Sequence, residues 1–226
     1  MDGGPAPAPI EVVFLDVGGV LYDDAVYRRA LLRALRELGA DVTDDAFDAE
    51  YDRCRRAQDG SFRAALTRAF LGDGASSAAV AERASRYWAY PADALEPDVR
   101  PCLDALSGRY RLGVVANQPS VVRAAMRRDG IDRSFEVWAI SDDIGIDKPD
   151  PRLYEYALAV AGVEASRAAM VGDRLDYDVR PARVAGIRAV WLLRGEAPED
   201  PTAAQLAEAD ASIRSLDELP GTLLRL

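Results

Sequence analysis

The sequence predicts an α/β fold: a doubly wound, Rossmann-like parallel sheet with an all-helical cap domain inserted after its first strand. Three observations carry this prediction. Short continuous apolar runs recur along the chain, each followed by a helical pattern, as in βαβ units whose strands are buried on both faces. Between the first and second of these runs lie roughly seventy residues with helical signals only, enough for a separate helical layer over the sheet. The first run ends in Asp16-Val17-Gly18-Gly19, and open α/β sheets place their ligand crevice at such strand ends.

The elements follow in order. Strands are predicted at Val12–Leu15, Leu112–Ala116, Val137–Ile140, Ala168–Val171 and Ala189–Leu193, with Ala211–Ile213 as a last edge strand before Ser215–Leu219. Core helices are predicted at Arg100–Leu106, Ser120–Asp129, Pro151–Ala161 and Asp178–Ala185, and cap helices at Ala25–Leu38, Asp45–Gln58, Phe62–Leu71 and Ala78–Tyr90. Thr43 and Ser76-Ser77 are suited to start helices, and Gly39 and Gly72 to stop them. The expected organisation is a tail over residues 1–9, a core formed by residues 10–23 and 97–226, and a cap over residues 24–96.

Composition narrows the function. The chain has 226 residues, 49% hydrophobic and 29% charged, ordinary values for a globular protein with a sizeable core. Its net charge of −10 disfavours nucleic acid as a general partner. No apolar run approaches the roughly 20 residues of a membrane span. The Pro/Ala/Gly-rich start lacks the basic and apolar regions of a signal peptide, so a cytoplasmic location is expected. Cys54 and Cys102 have no metal spacing and are read as reduced thiols. There is no histidine, which removes histidine acid/base chemistry and histidine metal sites. Of 28 Lys and Arg residues only Lys148 is lysine, which suggests a site that needs a compact ammonium.

Four segments gather chemistry at strand ends or helix starts: Asp16 to Leu21, Ala116-Asn117-Gln118-Pro119, Asp147-Lys148-Pro149-Asp150-Pro151, and Val171-Gly172-Asp173-Arg174-Leu175-Asp176-Tyr177-Asp178. In a doubly wound sheet all four converge on one crevice. Structural readings stand beside the functional ones. Asp173 and Asp178 suit an Asx-turn and a helix N-cap, and Asn117 suits a turn before Pro119. Arg174 and Asp176 read as solvated surface residues. Tyr51, Phe62, Tyr87 and Trp88 fall at helical spacing and read as cap core. Tyr22, Asp23 and Asp24 lie where the chain leaves for the cap and suit either a substrate contact or a helix start.

Together these motifs resemble the haloacid dehalogenase-like (HAD) hydrolase superfamily, over nearly the whole chain and including the cap after the first motif. The resemblance implies a magnesium-dependent phosphatase acting on a small phosphate monoester. Asp16 would be the nucleophile that becomes an aspartyl-phosphate. Asp16, the backbone carbonyl of Gly18 and Asp173 would hold Mg²⁺, a hard ion that prefers oxygen ligands. Lys148 would neutralise charge on Asp16 and the phosphoryl group. Asp178 would support the metal or orient Lys148. Gly18, Gly19, Asn117 and Gln118 would line the substrate's phosphoryl group.

The sequence departs from the family at two places. Family phosphatases carry a second Asp two residues after the nucleophile, which protonates the leaving group; here that residue is Gly18. Their second strand ends in Ser or Thr; here it ends in Ala116. A good leaving group, a substrate hydroxyl or a nearby acid such as Asp23 would have to stand in for the missing one. The alternatives are a catalytically degenerate member that binds a phosphorylated ligand or partner, and a 2-haloacid dehalogenase. The last is disfavoured because an acid at Asp173 would repel a carboxylate substrate.

Overall fold

A computed structural model describes residues 8–226; most of the expected tail, residues 1–7, lies outside them. Six strands form one sheet: β1 Val12–Leu15, β2 Arg111–Ala116, β3 Val137–Ile140, β4 Ala168–Gly172, β5 Arg188–Leu192 and β6 Ala211–Ile213. The order is β3-β2-β1-β4-β5-β6 and every pairing is parallel. The chain steps outward on one side from β1 to β3, then returns to β4 on the other side of β1. The carboxyl ends of β1 and β4 therefore flank the point where strand order reverses, which opens a crevice there.

Alternation along the strands builds two apolar layers. Val13, Leu15, Val114, Ala116, Ala169 and Val171 face one layer, with α5 (Val99–Leu106) and α6 (Val122–Arg128) against it. Phe14, Val115, Val137, Met170 and Trp191 face the other, covered by α8 (Pro151–Ala161) and α9 (Arg180–Val184). Between α6 and α8 lies the short α7 (Ser141–Ile144). Cys54 and Cys102 are buried free thiols.

Four helices between β1 and β2 make a third cluster of their own: α1 Ala25–Glu37, α2 Asp44–Ala57, α3 Phe62–Leu71 and α4 Ser77–Ser85. Thr43 and Ser76 cap α2 and α4 by accepting bonds from Ala46 N and Ala79 N. Gly72 ends α3 at φ +88°, outside the range most side chains allow. The predicted helix to Tyr90 stops early, at Ser85. Pro91 disfavours helix at the residue before it, and Tyr90 instead stacks on Tyr22 with ring centroids 4.4 Å apart. The two connections to the cap run side by side, joined by Asp23 N to Ala94 O (2.8 Å) and Glu96 N to Leu21 O (3.0 Å). No described helix is long and apolar enough to cross a membrane.

Candidate active site

Asp16 leaves the end of β1 with its N–H still bonded to Val171 O of β4 (2.9 Å), which holds it at the crevice. Lys148 arrives from the loop after α7, and its Nζ lies 2.8 Å from Asp16 Oδ1 and 2.6 Å from Asp178 Oδ1. Burial pulls the Lys148 ammonium down, but these two carboxylates outweigh it and hold the group above the ordinary lysine value. Burial pushes the Asp178 carboxyl up to about 6 against the pull of Lys148. The other Asp178 oxygen accepts Arg174 N at 3.0 Å. Asp178 does not start an α-helix, as predicted from sequence, but sits within a π-helical turn, Leu175–Val179, that leads into α9. Such turns are frequent at functional sites.

Asp173 follows β4. Its Oδ2 accepts Glu196 N (2.6 Å), and its carbonyl accepts Trp191 Nε1 (2.9 Å). Oxygens of Asp16, Asp173 and Asp178 lie within 4.8 Å of one another. Burial, then the charges of Asp24, Asp178, Glu196 and Asp16, raise Asp173 well above the usual carboxylate range. Asp24 is raised likewise, by burial and by Glu196, Asp16 and Asp23. Negative charge therefore exceeds what Lys148 supplies, and the donors are all hard oxygens. That set fits a divalent cation such as Mg²⁺.

Glycines let these carboxylates approach. Gly19 has φ +66°, and a side chain there would collide with Asp173. Gly172 has no room for a Cβ beside Asp178. At Gly18 a Cβ would fall 2.5 Å from Asp24 Oδ1.

Several sequence readings are corrected. Arg174 is not a solvated surface residue: it is buried, bonds Asp176 (2.9 and 2.6 Å), Glu196 (3.0 Å) and Gly60 O (2.7 Å), and lies over the Phe62 and Tyr177 rings. Asp176 turns inward to pair with it rather than facing solvent. The Asn117 carboxamide clamps the Lys148 backbone, donating to Lys148 O (2.9 Å) and accepting Lys148 N (2.6 Å). Its side chain thus fixes the lysine loop, and the residue lines the cleft. Asp23 accepts Ala25 N at the start of α1 and is exposed. Phe62 and Trp88 pack in the cap and also line the cleft, whereas Tyr87 donates to Glu37.

The cleft holds about 760 Å³ between sheet and cap, and Gln118 reaches it from the end of β2. Sequence reasoning missed how the cap closes over it. Gln58 is fully buried; its Nε2 donates to Glu196 O (2.7 Å) and its Oε1 accepts Leu175 N (2.8 Å). Tyr51 donates to Glu196 Oε1 at 2.8 Å. Only an unusual left-handed, non-glycine residue at Gln58 (φ +49°) marks the place, and no sequence motif announces it.

Residues 10–186 match the family described as haloacid dehalogenase-like hydrolase. A phosphoserine phosphatase of Thermus thermophilus is 49% identical over 85 residues, 38% of this chain and 34% of that protein. The chain spans less than half the length of this and the other curated relatives it matches. Among solved structures, a HAD phosphatase from Thermococcus onnurineus is 26% identical with a TM-score of 0.61, covering 95% of this chain and 98% of that one. A 2-haloacid dehalogenase from Pseudomonas syringae is 28% identical with a TM-score of 0.63, covering 96% and 99%.

Proposed function

The chain belongs to the haloacid dehalogenase-like hydrolase family, and from that premise we propose that it is a magnesium-dependent phosphatase of small phosphate monoesters. The observation that carries this reading is the buried ammonium of Lys148 held against Asp16 and Asp178, with Asp173 beside them. A carboxylate at a strand end, paired with a fixed cation and facing a cleft, suits nucleophilic attack on an anionic phosphoryl group.

Asp16 attacks phosphorus through one carboxylate oxygen, the bond to the leaving oxygen breaks, and an aspartyl-phosphate forms. Water then attacks that phosphorus and releases Asp16 and inorganic phosphate. Lys148 stabilises charge on Asp16 and on the phosphoryl oxygens, and Asp178 holds Lys148 from behind. Gly18, Asn117 and Gln118 line the cleft where the phosphoryl group would lie, whereas Gly19, expected there from sequence, spends its N–H on Tyr22 O (2.8 Å) and its carbonyl on Arg194 and does not line it. Mg²⁺ would be held by Asp16, Asp173 and the Gly18 carbonyl; once bound it neutralises phosphoryl charge. The cap would shield the intermediate from bulk water and select the leaving group.

The dehalogenase reading is weakened by the surplus of buried acid, which would repel a carboxylate substrate. A phosphate-ester screen with Mg²⁺ tests the proposal. Turnover is expected, with its loss in Asp16→Asn and on chelation. Halide release in the presence of a chelator, or full activity of Asp16→Asn, would refute it.

A further inference from the structure

Phosphoryl transfer from an alcohol leaves one requirement unmet at Gly18: a group that meets the leaving-group oxygen. Position 18 has no side chain, yet the space in front of it is filled. A Cβ there would lie 2.5 Å from Asp24 Oδ1, 3.4 Å from its Cγ and 3.5 Å from Oδ2. At Gly19 a Cβ would lie 2.9 Å from Asp24 Oδ2. The two glycines after the nucleophile thus make room for one carboxylate that comes from elsewhere in the chain.

That carboxylate has no other employment. Asp24 stands at the N-cap of α1 but makes no cap bond; Asp23 bonds Ala25 N instead. Among the described residues the Asp24 side chain forms neither a hydrogen bond nor an ion pair, and it lines the cleft together with Asp16. Its backbone is fixed by the paired cap connections just before it, which hold Asp23 to Ala94 and Leu21 to Glu96, and by its own carbonyl, which accepts Arg28 N (3.0 Å) in the first turn of α1.

We propose that Asp24 is a catalytic residue that takes over the place vacated at Gly18, presenting its carboxyl group from the first residue of the cap to the leaving-group oxygen. This rests on the phosphatase reading above. As the bond from phosphorus to the leaving oxygen breaks, the proton on Asp24 passes to that oxygen and the alcohol departs neutral. In the second step Asp24 takes a proton from the attacking water as its oxygen bonds to phosphorus and the bond to Asp16 breaks. The sum is ester plus water giving alcohol plus phosphate, with Asp16 and Asp24 restored.

Asp24→Asn keeps the shape and removes the proton transfer. Rapid-quench kinetics with a phenyl and an alkyl phosphate separate the two steps. With the alkyl ester, phosphoenzyme formation should fall about 10²–10⁴-fold. With 4-nitrophenyl phosphate, whose leaving group needs no proton, formation should change only a few-fold, and the aspartyl-phosphate should accumulate. An equal loss of formation rate with both esters, or no accumulation, overturns the assignment. A second test moves the group: Gly18→Asp alone should impair the enzyme, because its Cβ meets Asp24, and Gly18→Asp with Asp24→Gly should recover alkyl-ester turnover. Failure of the double variant to exceed Asp24→Gly also overturns it. Absence of turnover by the wild-type chain with every ester would instead strike the phosphatase reading itself.

Discussion

Replacing Lys148 by Met removes the one ammonium among the buried acids and should destabilise the protein strongly. The side chains of Lys148, Asp178 and Asp16 are only 3%, 1% and 13% exposed, so solvent screens the contacts little. Breaking a buried ion pair by removing one partner costs about 3–5 kcal/mol, because the remaining charge stays buried and unpaired. For a chain of this size each kcal/mol lowers Tm by about 2–4 °C, so Lys148→Met should melt roughly 6–20 °C lower. Differential scanning calorimetry in chelator measures this directly. Asp178→Asn in the Lys148→Met background removes part of the stranded charge and should recover some of the loss. Lys148→Arg should not restore turnover, since a planar guanidinium is wider than an ammonium and bonds through a fork. An unchanged Tm for Lys148→Met, or a double variant less stable than the single, would refute the claim that charge pairing holds this site together.

Other perturbations test the surrounding structure. Gln58→Ala leaves Leu175 N–H and Glu196 C=O without partners, and urea denaturation should show a loss of about 2–6 kcal/mol at about 1–3 per orphaned group. Asp129 is held below the usual carboxylate range first by its bonds from Arg128, and also accepts from Tyr22 OH at 2.8 Å. Its stabilisation is therefore complete above an unfolded-state pKa of about 3.9 and disappears as pH falls through the lower folded value. Asp129→Asn should be less stable than wild type by about 1–3 kcal/mol at neutral pH, and the gap should narrow below that point in acid-denaturation curves. Gly113→Ala places a Cβ 2.7 Å from the Phe14 ring and 2.9 Å from Val137 Cβ; a cost of about 1–3 kcal/mol is expected from thermal melts.

Much of this molecule is written locally. Continuous apolar runs sit at five of the six observed strands, the edge strand Ala211-Ser212-Ile213 being the exception, and the capping groups of Thr43, Ser76 and Gly72 act within a turn of the residues that specify them. The convergence of Asp16, Lys148, Asp173 and Asp178 was legible too, because strand ends in a doubly wound sheet meet at one edge. What failed to show was whatever depends on the path of the chain between elements. Arg174 and Asp176 look like surface residues until the Gly60 turn of the cap closes over them. The aromatic run after Ser85 reads as helix, yet Tyr90 is drawn off by Tyr22.

The sequence by itself determined the sheet, the cap and the four strand-end motifs, since periodicity and side-chain chemistry fix those over a few residues. It also revealed a missing carboxylate at Gly18 and suggested Asp23 as the nearby acid. Only the tertiary structure decided that Asp24 fills the gap. Asp23 and Asp24 are adjacent in sequence and alike in chemistry, but at the start of α1 one turns toward Ala25 N and the other toward Gly18 and Gly19. That choice is made by backbone direction and the packing of the cap linker, which no local pattern encodes.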